Sequence, residues 1–224
     1  MDARSSFASG SSARMIKPKP CDNRAKESKS LHELAQRLQQ FYSMTDMNNQ
    51  INAARDVTKT HTSSVETFKS GDFGFLGIVD NDRVVFSRAP LRRQHVPIKT
   101  DAMPYVEIVA MYGGADGHLV RAAVDHGAKG IVIQGLGWGN VNLPMFGAIK
   151  EAIAKGVPVV ITSRVPNGRV LPNYGFEGGG RTLVDAGAVM GDDLSPQKAR
   201  ILLMLLLQNA TMGQKELQTA FKGP

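Results

Sequence analysis

The stretch A-R-D-V-T-K-T-H-T-S-S, residues 54–64, sets one amine, Lys59, among five hydroxyls: Thr58, Thr60, Thr62, Ser63 and Ser64. An amine beside hydroxyls is raw material for proton transfer, because a neutral lysine can take a hydroxyl proton and make that oxygen a nucleophile. The lysine must first be brought down from about 10.4 toward neutrality by burial or a nearby cation. On an extended strand, side chains alternate, so Arg55, Val57 and Lys59 share one face while Asp56, Thr58 and Thr60 share the other. Lys59 then points away from its own neighbours and takes any proton partner from elsewhere in the fold. Spacing alone is equally that of a polar strand edge with an ordinary exposed lysine, and both readings stand at this point.

Other site chemistries find no support in the residues. A single cysteine, Cys21, rules out an internal disulfide and a cysteine-based metal centre. The five histidines have no H-E-x-x-H spacing. G-L-G-W-G-N at 135–140 is not the dinucleotide fingerprint, and P-loop and G-x-S-x-G patterns do not occur. G-G-G-R-T at 178–182 reads as a flexible loop rather than a phosphate nest. The expectation is therefore a site without metal or cofactor. The formal charge of +7 is spread out: residues 1–48 hold eight Lys/Arg against five Asp/Glu, and the remainder 19 against 15. With no interleaved aromatics and no nucleic-acid motif, this reads as a solvated basic surface, and no nucleic-acid partner is expected. The longest apolar run, I-L-L-M-L-L-L at 201–207, is too short to span a membrane and reads as a buried helix. The first twenty residues have no apolar centre of the secretory kind, so the cytoplasm is the expected compartment.

Hydrophobic residues make up 42% of the 224, enough to build a packed core. Residues 1–29, rich in Ser, Lys, Arg and Pro, show no hydrophobic period and read as disordered. Ser30 and Glu33 have capping-box spacing, and Leu31, Leu34, Ala35 and Leu38 follow at helical intervals, predicting a short amphipathic helix over 31–42. Residues 51–60 read as extended. F-L-G-I-V-D-N-D-R-V-V-F-S-R predicts a hairpin turning at Asp80-Asn81-Asp82. Residues 89–104 read as a linker.

Beyond Pro104 the rhythm is β-α-β-α-β. Y-V-E-I-V-A-M-Y, G-I-V-I-Q-G and V-P-V-V-I-T predict strands whose unbroken apolar runs suit parallel pairing with both faces buried. Helices are predicted over 116–126, capped by Asp116 and stopped by Gly127, and over 142–155, with Pro144 in its first turn. Ser195-Pro196 opens a third helix, and an amphipathic segment follows Gly213. The fold class is thus α/β, a small parallel-sheet domain with flanking helices. In such sheets ligands sit past the carboxyl ends of the strands. The loops leaving those ends are 112–117, 135–142 and 163–180, all rich in glycine or asparagine.

Several segments, taken together and in order, resemble the bacterial L-asparaginase/glutaminase-asparaginase family. They are A-R-D-V-T-K-T-H-T-S-S-V-E-T-F-K-S-G-D-F-G-F-L-G-I-V-D-N, G-A-D-G-H-L-V-R-A-A-V-D-H-G-A-K-G-I-V-I-Q-G-L-G-W-G-N, S-R-V-P-N-G-R-V and L-S-P-Q-K-A-R-I-L-L-M-L-L-L. The resemblance covers about residues 50–224. It implies hydrolysis of the side-chain amide of asparagine, and in some members glutamine, to the acid and ammonia, without a cofactor. A threonine attacks the amide carbon and water opens the acyl-enzyme. The lysine of R-D-V-T-K-T, here Lys59, relays a proton in concert with a distant threonine and an aspartate. The asparagine of the G-x-G-N-G-N loop corresponds to Asn140, which comes from the adjacent subunit and helps hold the substrate's α-amino group. Glu177, the glutamate in the loop after S-R-V-P, takes a similar role. The family builds tetramers from two intimate dimers, and its members are often periplasmic.

Two departures accompany the resemblance. Trp138 stands where many relatives have asparagine. The motifs T-G-G-T-I and H-G-T-D-T, which carry the family's nucleophile, second threonine and aspartate, do not occur in these residues. The resulting expectation is an unrelated leader over 1–48, a remnant of the family's N-terminal domain plus linker over 49–103, and the C-terminal α/β domain over 104–224. On this reading the chain is a truncated or frame-shifted product, weakly active or inactive, or a non-catalytic fragment serving binding or oligomerisation.

Overall fold

The structure is a computed structural model that describes residues 44–81, 83–90, 95–100, 102–208 and 212–222. The helix expected over 31–42 lies outside the described residues. The chain divides into two compact units at Leu91/Arg92.

In the first unit an antiparallel sheet runs in the order β1 (Met44–Met47), β2 (Gln50–Ala53), β5 (Gly77–Val79), β6 (Val84–Phe86). Asn48 and Asn49 both take left-handed φ, 56° and 58°, in the two-residue turn between β1 and β2. That is the twist a tight hairpin needs, and asparagine tolerates it best after glycine. The hairpin expected at Asp80 is present, with Val79 opposite Val84 and Asp80 N–H donating to Arg83 O at 2.9 Å. Ile51, Ala53 and Leu76 are buried, and so is a polar pair in which Ser70 Oγ donates to Asn52 Oδ1 at 2.6 Å. Ile78, Val84 and Val85 of the β5–β6 hairpin are exposed.

The extended stretch expected over 51–60 is interrupted. Asp56 and Val57 both donate their N–H to Ala53 O, at 3.0 and 2.9 Å, which folds Ala54–Asp56 into a turn. Only Thr58–Lys59 (β3) is strand again, paired antiparallel with Phe68–Lys69 (β4), with Thr58 opposite Lys69 and Lys59 opposite Phe68. Strand alternation therefore does not carry from Arg55 to Lys59, because the turn resets the direction of the chain between them.

The second unit is a four-stranded, all-parallel sheet in the order β10-β9-β8-β7, from Val106–Ala110 (β7), Gly130–Gly135 (β8), Val159–Ser163 (β9) and Val189–Met190 (β10). Both faces are covered, as the unbroken apolar runs predict. Ile131, Ile133, Val159 and Ile161 join one buried cluster with residues of α1 (His118–Asp125), α2 (Leu143–Ala154) and α3 (Gly180–Asp185). Val106, Val132, Val160 and Val189 join the other with α4 (Pro196–Leu207) and α5 (Gln214–Lys222). Strands laid down in sequence order by crossovers of one hand put every connecting helix on the same face. The other face falls to the last two helices. The run at 201–207 covers it one-sidedly: Leu203 and Leu206 are buried, while Ile201 is 56% exposed, so the run is not a membrane feature. Among the described residues, no helix is long and apolar enough to cross a membrane.

Local signals fix most boundaries. Asn142 Oδ1 accepts from Met145 N–H at 3.0 Å and starts α2 ahead of Pro144, and Ser195 caps α4 ahead of Pro196. Gly127, at φ 85°, ends the first helix. The helix start expected at Asp116 lies one residue later, at Gly117. Asp116 still serves it, because its Oδ1 accepts the His118 N–H at 3.0 Å. In the second unit, two elements were not expected from the sequence. G-G-G-R-T, expected as loop, runs into helix α3 at Gly180, and Val189–Met190 adds a fourth strand.

Leu203 fills the close approach of α4 to β8, where a Cβ on Gly130 would lie 2.8 Å from Leu203 Cδ2. Leu203→Ala is expected to lower stability by about 2–5 kcal/mol, read as a shift in the denaturant midpoint by far-UV circular dichroism.

Candidate functional site

At the carboxyl ends of β7, β8 and β9 three loops are joined into one surface by named bonds. The loop after β8 turns back on itself: Leu136 N–H donates to Asn140 O and Asn140 N–H to Leu136 O, both at 2.9 Å. Glycine makes this possible at two places. Gly139, at φ 95°, has no room for a Cβ, which would lie 2.7 Å from Ile161 Cγ2, and a Cβ on Gly135 would meet Gly139 backbone at 2.7 Å. The turn therefore sits directly over the end of β9, with Trp138 at its tip and Asn140 at its base.

Asn142 links this loop to the one after β7. Its Nδ2 donates to Ala115 O at 2.7 Å while its Oδ1 caps α2. The loop after β9 is held by Val141 N–H, which donates to Gly178 O at 2.9 Å, and a Cβ on Gly178 would strike Val141 O at 2.3 Å. Ser163 Oγ donates to Gly137 O at 2.6 Å and Arg164 N–H to Gly135 O at 3.0 Å. The far side of the third loop is fixed to buried Asp192, which accepts from Arg169 Nε and whose backbone O takes the Val170 N–H at 3.0 Å. The Asp192 carboxylate holds the Arg169 guanidinium above its ordinary value. In the first loop, Asp116 is held below the usual carboxylate range, first by the His118 N–H and then by the His118 ring.

Asn140 and Glu177 are each the sequence neighbour of a residue in the Val141–Gly178 bond, which joins their two loops. They differ in surroundings. Glu177 is exposed. Asn140 is half-buried, and its Oδ1 is buried without a hydrogen-bond partner among the described residues. A buried acceptor left unmade costs about 1–3 kcal/mol, which sets this oxygen apart from the other polar atoms of the three loops. Spacing alone did not single out Asn142, which joins the first two loops; the signal for it was the Asn-x-Pro opening of a helix.

Lys59 belongs to the first unit. It is exposed at the end of β3, opposite Phe68. Side chains that follow it bond the chain that closes the next loop. Thr60 Oγ1 donates to Thr67 O at 2.8 Å, Thr67 Oγ1 to His61 O at 2.5 Å, and His61 Nδ1 accepts from the N–H of Ser63 and Ser64, both at 3.1 Å. A polar cleft of 360 Å³ in the same unit is lined by Gln50, Asn52, Glu66, Lys69 and Ser70 among others, and Lys59 is not part of its wall. No cluster of three or more His, Cys, Asp or Glu able to hold a metal ion occurs among the described residues.

Comparison with known proteins sets these features beside a family. The sequence profile described as "Glutaminase/Asparaginase C-terminal domain" matches residues 105–221, and the one described as "Asparaginase, N-terminal" matches residues 34–92. The chain is similar to an L-asparaginase of Bacillus licheniformis, 37% identical over 169 residues, covering 75% of this chain and 52% of that protein. It is similar to L-asparaginase 2 of Escherichia coli (strain K12), 37% identical over 182 residues, 78% of this chain and 50% of the relative. It is also similar to a glutaminase-asparaginase of Pseudomonas fluorescens biotype A, 33% identical over 190 residues, 80% of this chain and 49% of the relative. The chain spans about half the length of the curated relatives it matches.

Asn142→Ala removes a helix cap and a loop-to-loop bond together, and is expected to cost about 1–3 kcal/mol, measured as a fall in the melting temperature. The depressed Asp116 carboxyl contributes stability at neutral pH that is lost only as pH falls through its lowered value. Asp116→Asn is expected to flatten that acid limb in a pH series of melting temperatures.

Proposed function

Because the chain belongs to the glutaminase/asparaginase family, we propose that it carries the amino-acid-binding and proton-relay parts of a side-chain amide hydrolase. The substrate class is L-asparagine, with L-glutamine as the second candidate. Asn140 Oδ1 accepts an N–H from the substrate's α-ammonium, and the Glu177 carboxylate lies against the same charge. Lys59 relays the proton that leaves the attacking hydroxyl. The site is shared between subunits, so the working form is a homo-oligomer. No metal and no cofactor enters the reaction.

The single observation that supports this reading is Asn140 Oδ1, buried at the carboxyl end of the sheet with no hydrogen-bond partner among the described residues. A charge-assisted N–H···O bond is the chemistry that satisfies such an oxygen. Glu177, on the loop bonded through Val141 and Gly178, supplies a compensating negative charge.

Catalysis also needs an attacking oxygen. The family's nucleophile stands in T-G-G-T-I and its second threonine and aspartate in H-G-T-D-T, and these 224 residues contain neither motif. Of the two hydroxyls flanking Lys59, that of Thr60 is bonded to Thr67 O. This supports the second part of the proposal: these residues by themselves turn over asparagine weakly or not at all, and bind the amino acid or associate with other subunits.

Two measurements on the purified chain test this. Calorimetric titration with L-asparagine is expected to show binding that falls about tenfold or more in Asn140→Ala, the worth of one hydrogen bond to a charged group. Ammonia release from L-asparagine and L-glutamine is expected at or near background. Absence of both binding and turnover would sink the amino-acid reading. Robust turnover lost in Lys59→Ala would keep the enzyme and overturn the expectation of weak activity.

A further inference from the structure

The tip of the loop after β8 carries the chain's single tryptophan. Trp138 is 42% exposed and stacks on Tyr174 of the loop after β9, with ring centroids 5.4 Å apart and planes 28° apart. Phe176 continues the row at 5.6 Å from Tyr174. Tyr174 is itself anchored, because its backbone O accepts from Arg181 N–H at 2.9 Å in the first turn of α3.

On the far side of Asn140 in sequence, the backbones of these two loops are joined by the Val141–Gly178 bond. Ser163 Oγ to Gly137 O and Arg164 N–H to Gly135 O tie the loop after β8 to the start of the loop after β9. Toward residues 174–178 of that loop the Val141–Gly178 bond acts as a pivot, which fixes a distance and leaves rotation about itself. The tip beyond it is flanked by glycines at φ 53° and 95°, Gly137 and Gly139, the residues that resist rotation least. The Trp138–Tyr174 stack is a second tie, made by side chains. Two separate ties turn a pivot into a fixed plate. Asn140 lies between them on one loop, and Glu177 lies between Tyr174 and Gly178 on the other.

We propose that Trp138 is a positioning residue: its stack on Tyr174 locks the loop after β8 to the loop after β9 and so fixes the direction of Asn140 Oδ1 relative to Glu177. The inference concerns the geometry of the binding surface and rests on the amino-acid reading above only for the identity of what is bound. An aromatic partner at position 138 is what the lock requires, whereas an amide there would have no ring to stack.

The test uses the full chain and four variants: Trp138→Ala, Trp138→Phe, Tyr174→Ala and the double alanine variant. Amide hydrogen exchange is followed at Asn140 and Val141, with Ile131 in the core of β8 as reference. Either single alanine variant is expected to speed exchange at Asn140 and Val141 about fivefold, the weight of one aromatic pair, with Ile131 unchanged. Trp138→Phe keeps a ring and is expected to stay near the parent, and the double variant to be no worse than the singles. L-Asparagine affinity is expected to fall in step with the exchange rates. Parent-like exchange at Asn140 and Val141 in Trp138→Ala overturns the lock. Faster exchange with unchanged affinity, in a chain where Asn140→Ala abolishes binding, overturns the positioning role. If the parent binds no L-asparagine, the amino-acid reading fails while the exchange rates still decide the lock.

Discussion

Burial of the parallel sheet on both faces is the constraint from which the second unit follows. Adjacent residues of β8, Ile131 and Val132, enter different cores, and the same split recurs at Val159 and Val160. A strand buried on both sides cannot slip by one residue without driving its whole pattern into the wrong layer, although both layers are apolar. Register is instead held by shape. Gly130 admits Leu203 and Leu207 on one side, and Gly135 admits the returning turn at Gly139 at the other end. With the register held, the strand ends stop at one level, and the three loops leave from a common edge.

That edge is where polar side chains concentrate. Inside the sheet, Thr162 is fully buried and its hydroxyl donates to Ile133 O at 2.8 Å, so the core's polar demand is met locally. At the loops, Asn142 and Ser163 bond their side chains to backbone groups of neighbouring loops. Against these satisfied groups, the Asn140 oxygen, buried and without a partner among the described residues, stands apart. The Asn142 amide is satisfied on both sides, and the aromatic row from Trp138 to Phe176 belongs to the same two loops that carry Asn140 and Glu177.

The first unit carries a different balance. Its buried apolar set is small, and a Ser70–Asn52 bond takes part of its interior. Thr60, Thr67 and His61 close the loop after Lys59 by bonding backbone groups. The density of hydroxyls around the lysine, which reads in sequence as chemistry, is in good part what builds a tight polar loop. The proton-relay reading of Lys59 rests on family resemblance.

Local signals in the sequence determined a great deal: the parallel α/β class of residues 104–224, the helix starts at Asn142 and Ser195, the stop at Gly127, the hairpin at Asp80 and a helix over the apolar run at 201–207, which the structure shows to be buried on one side only. Each depends on interactions within a few residues or on a periodic burial pattern, which is why it is written in the chain. Other features were not legible there. The turn at Ala54–Asp56 is local, but it carries no glycine or proline; Ala53 O captures two N–H groups and breaks the strand that alternation had extended to Lys59. The rest is tertiary. Helix α3 and strand β10 follow a stretch whose glycines read as loop; there Gly178, at φ 89°, and Gly180 admit close packing against Val141 and Leu171. The stack of Trp138 on Tyr174 joins two loops separated along the chain by the whole of α2 and β9. No window along the sequence holds both rings, and only the meeting of two strand ends brings them within reach.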